Sequence, residues 1–141
     1  MDYPINPMKQ AIAAGATFVA RTTHSNPNHV LQMMEAAMDH DGFSFIECLS
    51  ECVEFYEGAF DAANPRKGGV FNPVPSDHDV TNETAAYKLA DQPFPGYFGL
   101  FFKTTRPTKN AKEAALQTAA REKAKGLKDW QILKQTFERM K

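Results

Sequence analysis

Two cysteines, Cys48 and Cys52, are too few for a disulfide scaffold and suit a reducing compartment. Long apolar runs are also scarce. The best stretch, Tyr97-Phe98-Gly99-Leu100-Phe101-Phe102, stops at Lys103, well short of the roughly 20 residues that a spanning helix needs. The opening Met1-Asp2-Tyr3-Pro4 has neither the basic nor the apolar region of a secretory signal. No membrane association and a cytoplasmic location are therefore expected. The chain also lacks a Gly-x-Gly-x-x-Gly turn, a Walker-type phosphate loop, His-Glu-x-x-His and Gly-x-Ser-x-Gly, so the most recognisable nucleotide, zinc and serine-hydrolase sites are excluded. With 43% apolar and 23% charged residues over 141 positions, what remains is an ordinary globular composition of single-domain size.

Charge is unevenly placed. Residues 1–103 hold six Lys and Arg against 13 Asp and Glu, whereas 104–141 hold ten against four. An acidic body, 1–103, is thus followed by a basic tail, 104–141. Such asymmetry fits a tail that docks on an acidic partner, or a solvated lysine-rich helix. The tail lacks aromatics interleaved with its basic residues for stacking bases, so no nucleic-acid partner is expected.

Asn6-Pro7 reads as a helix start, Asn as the cap and Pro in the first turn, with Gly15 as the stop. Thr17-Phe18-Val19-Ala20-Arg21 then reads as a strand. Asn26-Pro27 repeats the start signal, and Val30, Leu31, Met34, Ala37 and Met38 form a helical stripe ending at Asp41-Gly42. Residues 43–49 make the second strand. Helix–strand–helix–strand with short connections predicts an α/β domain with a mostly parallel sheet. Residues 64–79 read as a long loop, Thr81 caps a short helix through Leu89, and 97–103 is a third strand. Two helices, 110–125 and 128–140, divide at Gly126; the second carries Trp130, Leu133, Phe137 and Met140 on one stripe. Three strands leave sheet edges unpaired and apolar helix faces open.

The histidines His24, His29, His40 and His78 lack metal-ligand spacing and read as surface or capping residues, and Asp77-His78-Asp79 reads as a turn. Cys48, within the second strand, is expected to be buried and protected. Cys52 falls just beyond that strand, at the end where parallel α/β sheets gather ligands. Spacing alone makes it an ordinary thiol.

Met8-Lys9-Gln10-Ala11-Ile12-Ala13-Ala14-Gly15-Ala16-Thr17-Phe18-Val19-Ala20-Arg21, followed after the second helix by Gly42-Phe43-Ser44-Phe45-Ile46-Glu47-Cys48-Leu49-Ser50-Glu51-Cys52, resembles the beta subunit of 2-oxoacid:ferredoxin oxidoreductases, the 2-oxoglutarate type above all. Asp77-His78-Asp79 and Ala85-Ala86-Tyr87-Lys88-Leu89-Ala90 continue the resemblance. It is clear from Asn6 to Tyr56 and looser to Lys103, and the tail resembles nothing placed. The resemblance implies the second half of a thiamine-diphosphate-binding fold followed by a helical tail. It further implies oxidative decarboxylation of a 2-oxoacid to an acyl-coenzyme A, with electrons leaving through a 4Fe-4S cluster to ferredoxin. The family's Gly-Asp-Gly-Asp block and later Asn, which hold magnesium and the diphosphate, have no counterpart here. The implied partners are the missing N-terminal half of the beta subunit, the alpha subunit and ferredoxin, and no thiamine diphosphate is expected on the isolated chain. Cys52 matches a cluster-ligand cysteine of the family, its three companions lying outside this sequence. Glu51 stands where Pro is usual. The competing reading is a non-catalytic α/β docking module whose tail binds an acidic protein.

Overall fold

The computed structural model describes residues 4–140. It divides into two compact units, Met1–Arg106 and Pro107–Lys141. In the first unit the order is α1 (Pro7–Ala13), β1 (Phe18–Thr23), α2 (Pro27–Met38), β2 (Ser44–Leu49), two short 3-10 turns at Asp61–Ala63 and Pro65–Lys67, α3 (Glu83–Ala90) and β3 (Gly99–Lys103). Both expected caps form. The Asn6 side chain accepts from the Lys9 N–H and that of Asn26 from the His29 N–H, each at 3.2 Å. Pro7 and Pro27 sit in first turns where a missing N–H costs nothing. Gly15 ends α1 at φ +89°, left-handed backbone that favours glycine. The third helix starts on Asn82, whose side chain accepts from the Ala85 N–H, not on Thr81; Asp79 holds Thr81 in a turn instead.

The sheet order is β2-β1-β3. β1 and β2 are parallel, Phe18 opposite Ser44 through Thr23 opposite Leu49, with α2 as the crossover. The expected third strand joins the other side of β1 but runs antiparallel, so the sheet is mixed. Its register shifts between Val19 and Ala20, whose partners are Phe102 and Leu100. Phe101 is the extra residue. This bulge explains why two consecutive residues, Phe101 and Phe102, enter the same core cluster. That cluster packs Met8, Ala11 and Ile12 of α1 and Ala86 and Ala90 of α3 onto one face of the sheet. On the opposite face Phe18, Ala20 and Met33 are joined by Ala36, Ala37 and Ile46. All six residues of β1 are buried.

The stripe expected to seat α2 is only partly the one used: Ala37 packs on the sheet, but three of its members do not. Met33, Ala36 and Ala37 face the sheet, while Leu31, Met34 and Met38 are exposed, Met38 at 85%. The periodicity picked out a stripe displaced by about one residue around the helix from the arc centred on Met33 that the sheet takes.

In the second unit α4 (Lys109–Ala124) is capped by the Thr108 hydroxyl on the Ala111 N–H, and α5 (Asp129–Arg139) follows after Gly126. Neither helix has a buried residue. Among the described residues no helix is long and apolar enough to cross a membrane.

Candidate functional site

Cys52 follows the carboxyl end of β2 by three residues, in a loop with little apolar support. Its carbonyl accepts from the Tyr56 N–H at 2.9 Å, closing a tight turn. Cys52 is exposed, and so are its neighbours Val53, Phe55 and Tyr56. The thiol therefore stands at the open strand end where the sequence places it.

Cys48 does not behave as expected. It is exposed and is not a protected core thiol. The cause is topological: β2 pairs only with β1 among the described residues, so it is an edge strand, and its residues are only partly covered. Nearby protein atoms still remove enough water to push the Cys48 thiol pKa up. Both thiols are accessible, and alkylation alone will not separate them.

Polar side chains organise the surroundings of Cys52. Oε1 of Glu51 accepts from the Gly58 N–H at 2.6 Å and lies 3.5 Å from Nζ of Lys67, which is also 2.8 Å from Oδ1 of Asp61. The Asp61 hydrogen bond first, then the charges of Asp61 and Glu51, raise the Lys67 ammonium above its ordinary value. Gly69 closes this region by lying against backbone. A Cβ there would come within 2.1 Å of the Asp61 carbonyl and 2.6 Å of Ala62, so only glycine fits. Deeper in the sheet, Nε of Arg21 meets Glu47 at 2.5 Å, and its guanidinium lies 5.6 Å from the Phe101 ring centroid. This mostly buried pair was not singled out from the sequence. Its signal is that Arg21 and Glu47 occupy matching places in two adjacent strands, visible only once the register is known.

All four histidines are occupied by hydrogen bonds. His29 Nδ1 and His40 Nε2 each lie 2.8 Å from a threonine hydroxyl, of Thr22 and Thr17; His78 Nε2 is 2.8 Å from the Phe101 carbonyl and His24 Nδ1 3.2 Å from that of Leu49. Burial lowers the His29 pKa. Among the described residues no three His, Cys, Asp or Glu side chains gather as a metal site. Cys52 offers one thiolate donor, whereas an iron–sulfur cluster takes four ligands.

No protein-family profile matches the chain. Over 62 residues it is 40% identical to the 2-oxoglutarate oxidoreductase subunit KorB of Mycobacterium tuberculosis, covering 44% of this chain and 17% of that protein. Over 48 residues it is 44% identical to the 2-oxoglutarate synthase subunit KorB of Methanocaldococcus jannaschii, covering 34% and 18%. Among solved structures, the 2-oxoglutarate:ferredoxin oxidoreductase from Magnetococcus marinus, with 2-oxoglutarate, coenzyme A and succinyl-CoA bound, matches with a TM-score of 0.75 and 29% identity. The chain is related to the KorB-type beta subunits. The structural match covers 94% of this chain and 44% of the solved one. This KorB-type likeness therefore extends beyond the first unit into the helical tail, which the sequence alone had not placed. The chain spans less than half of the solved subunit and, in the matched segments, under a fifth of its curated KorB relatives. Both of these curated relatives are subunits of a 2-oxoglutarate oxidoreductase or synthase.

Proposed function

We propose that the chain is the C-terminal part of the beta subunit of a 2-oxoacid:ferredoxin oxidoreductase, with 2-oxoglutarate the favoured substrate class, and that it works only within a complex. The observation carrying this reading is the match to a solved 2-oxoglutarate:ferredoxin oxidoreductase along 94% of the chain. Because the match extends into the tail, it favours one enzyme subunit over a separate docking module. The exposed arc of α2 and the open edge of β2 fit a body that is completed by further polypeptide sequence. In this reading the completing sequence, whether it belongs to the same subunit chain or to a separate polypeptide, is the N-terminal half of the subunit and holds thiamine diphosphate and magnesium. The cofactor, when bound, supplies carbanion stabilisation for decarboxylation. The alpha subunit and ferredoxin are the further partners, coenzyme A accepts the acyl group, and the complex is cytoplasmic, where two free thiols stay reduced.

Cys52 is assigned as one thiolate ligand of a 4Fe-4S cluster whose other three ligands lie outside the chain. The test is iron content after reconstitution with the completing polypeptide. Cys52→Ser is expected to lose the cluster absorbance and its electron transfer, while Cys48→Ser keeps both. Retention of a full cluster by Cys52→Ser overturns the assignment. Calorimetric titration of the isolated chain with thiamine diphosphate and magnesium is expected to give no binding heat; micromolar binding contradicts the division of the cofactor site. Purification of tagged chain from its native cell is expected to bring down the completing polypeptide and the alpha subunit.

A further inference from the structure

The loop that carries Cys52 has almost nothing apolar to hold it. Val53, Phe55 and Tyr56 are 71%, 92% and 71% exposed. The loop is held instead by one carboxylate. The main chain leaves β2 at Leu49, whose carbonyl accepts from the His24 N–H at 3.0 Å. Two residues on, Glu51 folds inward, its side chain 17% exposed. Its Oε1 accepts from the Gly58 N–H and approaches Lys67, and its Oε2 lies 4.0 Å from Nε2 of His24. One side chain thus ties the exit from β2 to the turn at Gly58 and to the 3-10 turn ending at Lys67. Cys52 is the next residue, bracketed by Glu51 on one side and by the Tyr56 N–H on its own carbonyl. A hydrogen bond from an N–H to an ionised carboxylate is stronger than a neutral one, and here it is backed by a lysine already tethered to Asp61.

We infer that Glu51 is a positioning residue for the Cys52 thiol, a latch that fixes the 52–58 turn. The inference borrows from the proposed function only that Cys52 is the working thiol. The acidic residue next to Cys52 is thereby part of the scaffold: its charge points to Gly58 and Lys67, and what it contributes is geometry.

Amide hydrogen exchange of the full chain reads the latch directly. In Glu51→Ala, the Gly58 and Tyr56 amides are expected to exchange at least about tenfold faster, while those of Val19 and Ala20 in β1 stay protected. In Glu51→Gln, whose amide oxygen still accepts from Gly58, exchange is expected to stay within about threefold of the parent. Unchanged exchange at Gly58 and Tyr56 in Glu51→Ala overturns the latch. Should Glu51→Ala lose protection in β1 as well, Lys67→Met decides: faster exchange at Tyr56 with β1 intact supports the latch, and no change overturns it. A second readout is iron bound after reconstitution, expected to fall by about half or more in Glu51→Ala and to recover in Glu51→Gln. If Cys52→Ser loses its iron but Glu51→Ala keeps it in full, Glu51 does not position the thiol. If Cys52→Ser itself keeps its iron, the ligand reading fails while the exchange result stands on its own.

Discussion

In the first unit every residue of β1 is buried, whereas in the second neither α4 nor α5 buries a single one. The two regions are made of equally regular secondary structure, yet different forces hold them. The body is held by apolar side chains on both sheet faces and by polar groups that find partners inside. The tail helices rest on local terms: the Thr108 cap, the Lys109–Glu113 pair at 3.3 Å, and backbone hydrogen bonds. Trp130, Leu133, Phe137 and Met140 form the stripe read from the sequence, but all four are exposed. Periodicity reports that a surface is needed; it does not provide one. An isolated helix of this length is marginal in water.

Matched substitutions in the two units put this contrast to the test. The largest effect is expected from Phe18→Ala, which empties a fully buried site and costs about 3–5 kcal/mol, a large share of a small domain's stability. Phe137→Ala in the tail is expected to stay within about 0.5 kcal/mol. Chemical denaturation followed by far-ultraviolet dichroism measures both, and equal effects would erase the distinction. Next come the ion pairs. Glu47→Gln leaves the Arg21 guanidinium mostly buried without its counter-charge, for which about 2–3 kcal/mol is expected, somewhat below the fully buried case. Its counterpart Glu113→Gln breaks an exposed i,i+4 pair worth about 0.3 kcal/mol.

Caps give a finer comparison. Asn6 both caps α1 and donates from its amide to the Ala90 carbonyl of α3 at 2.8 Å, so Asn6→Ala is expected to cost about 1–2 kcal/mol in thermal or urea unfolding. Thr108→Ala removes only a local bond and should lower tail helicity without moving the main transition. The smallest effect is a pH dependence confined to the body. Burial depresses the His29 pKa below 6.5, so as pH falls through that value the unfolded chain takes up a proton before the folded one does. Stability is full above about pH 6.5 and declines below it. His29→Gln should flatten that part of the acid limb, and an unchanged slope would remove His29 as its source.

Local signals were the most legible part of the sequence. Asn6-Pro7 and Asn26-Pro27 fix their helix starts through bonds spanning three residues, and β1 follows from a run of β-branched and aromatic side chains. The position of Cys52 beyond β2 was legible for the same reason. Long-range facts were not. The antiparallel entry of β3, the bulge at Phe101 and the choice of Met33 over Met34 depend on which elements meet, and no short window of sequence contains that. Cys48 was misjudged because strand character says nothing about whether a strand lies inside the sheet or at its edge. The Glu51 contacts reach Gly58 and Lys67 across a segment with no periodicity to read.

The sheet is finished on one side only. Beyond β3, the 72–80 segment lies alongside: the Lys103 N–H donates to the Val80 carbonyl, and Phe98 exchanges bonds with Asn72 and Val74, each at 2.8 Å. Beyond β2, no described strand follows. A structure with one sealed flank and one open flank has a direction of growth, as a crystal step does. Among the described residues, the edge of β2 next to Cys48 is where another strand could add its hydrogen bonds, in the register that the backbone of Ser44–Leu49 dictates. The turn that carries Cys52 leaves from the carboxyl end of this same edge strand, so a strand paired along β2 would lie beside the thiol's turn.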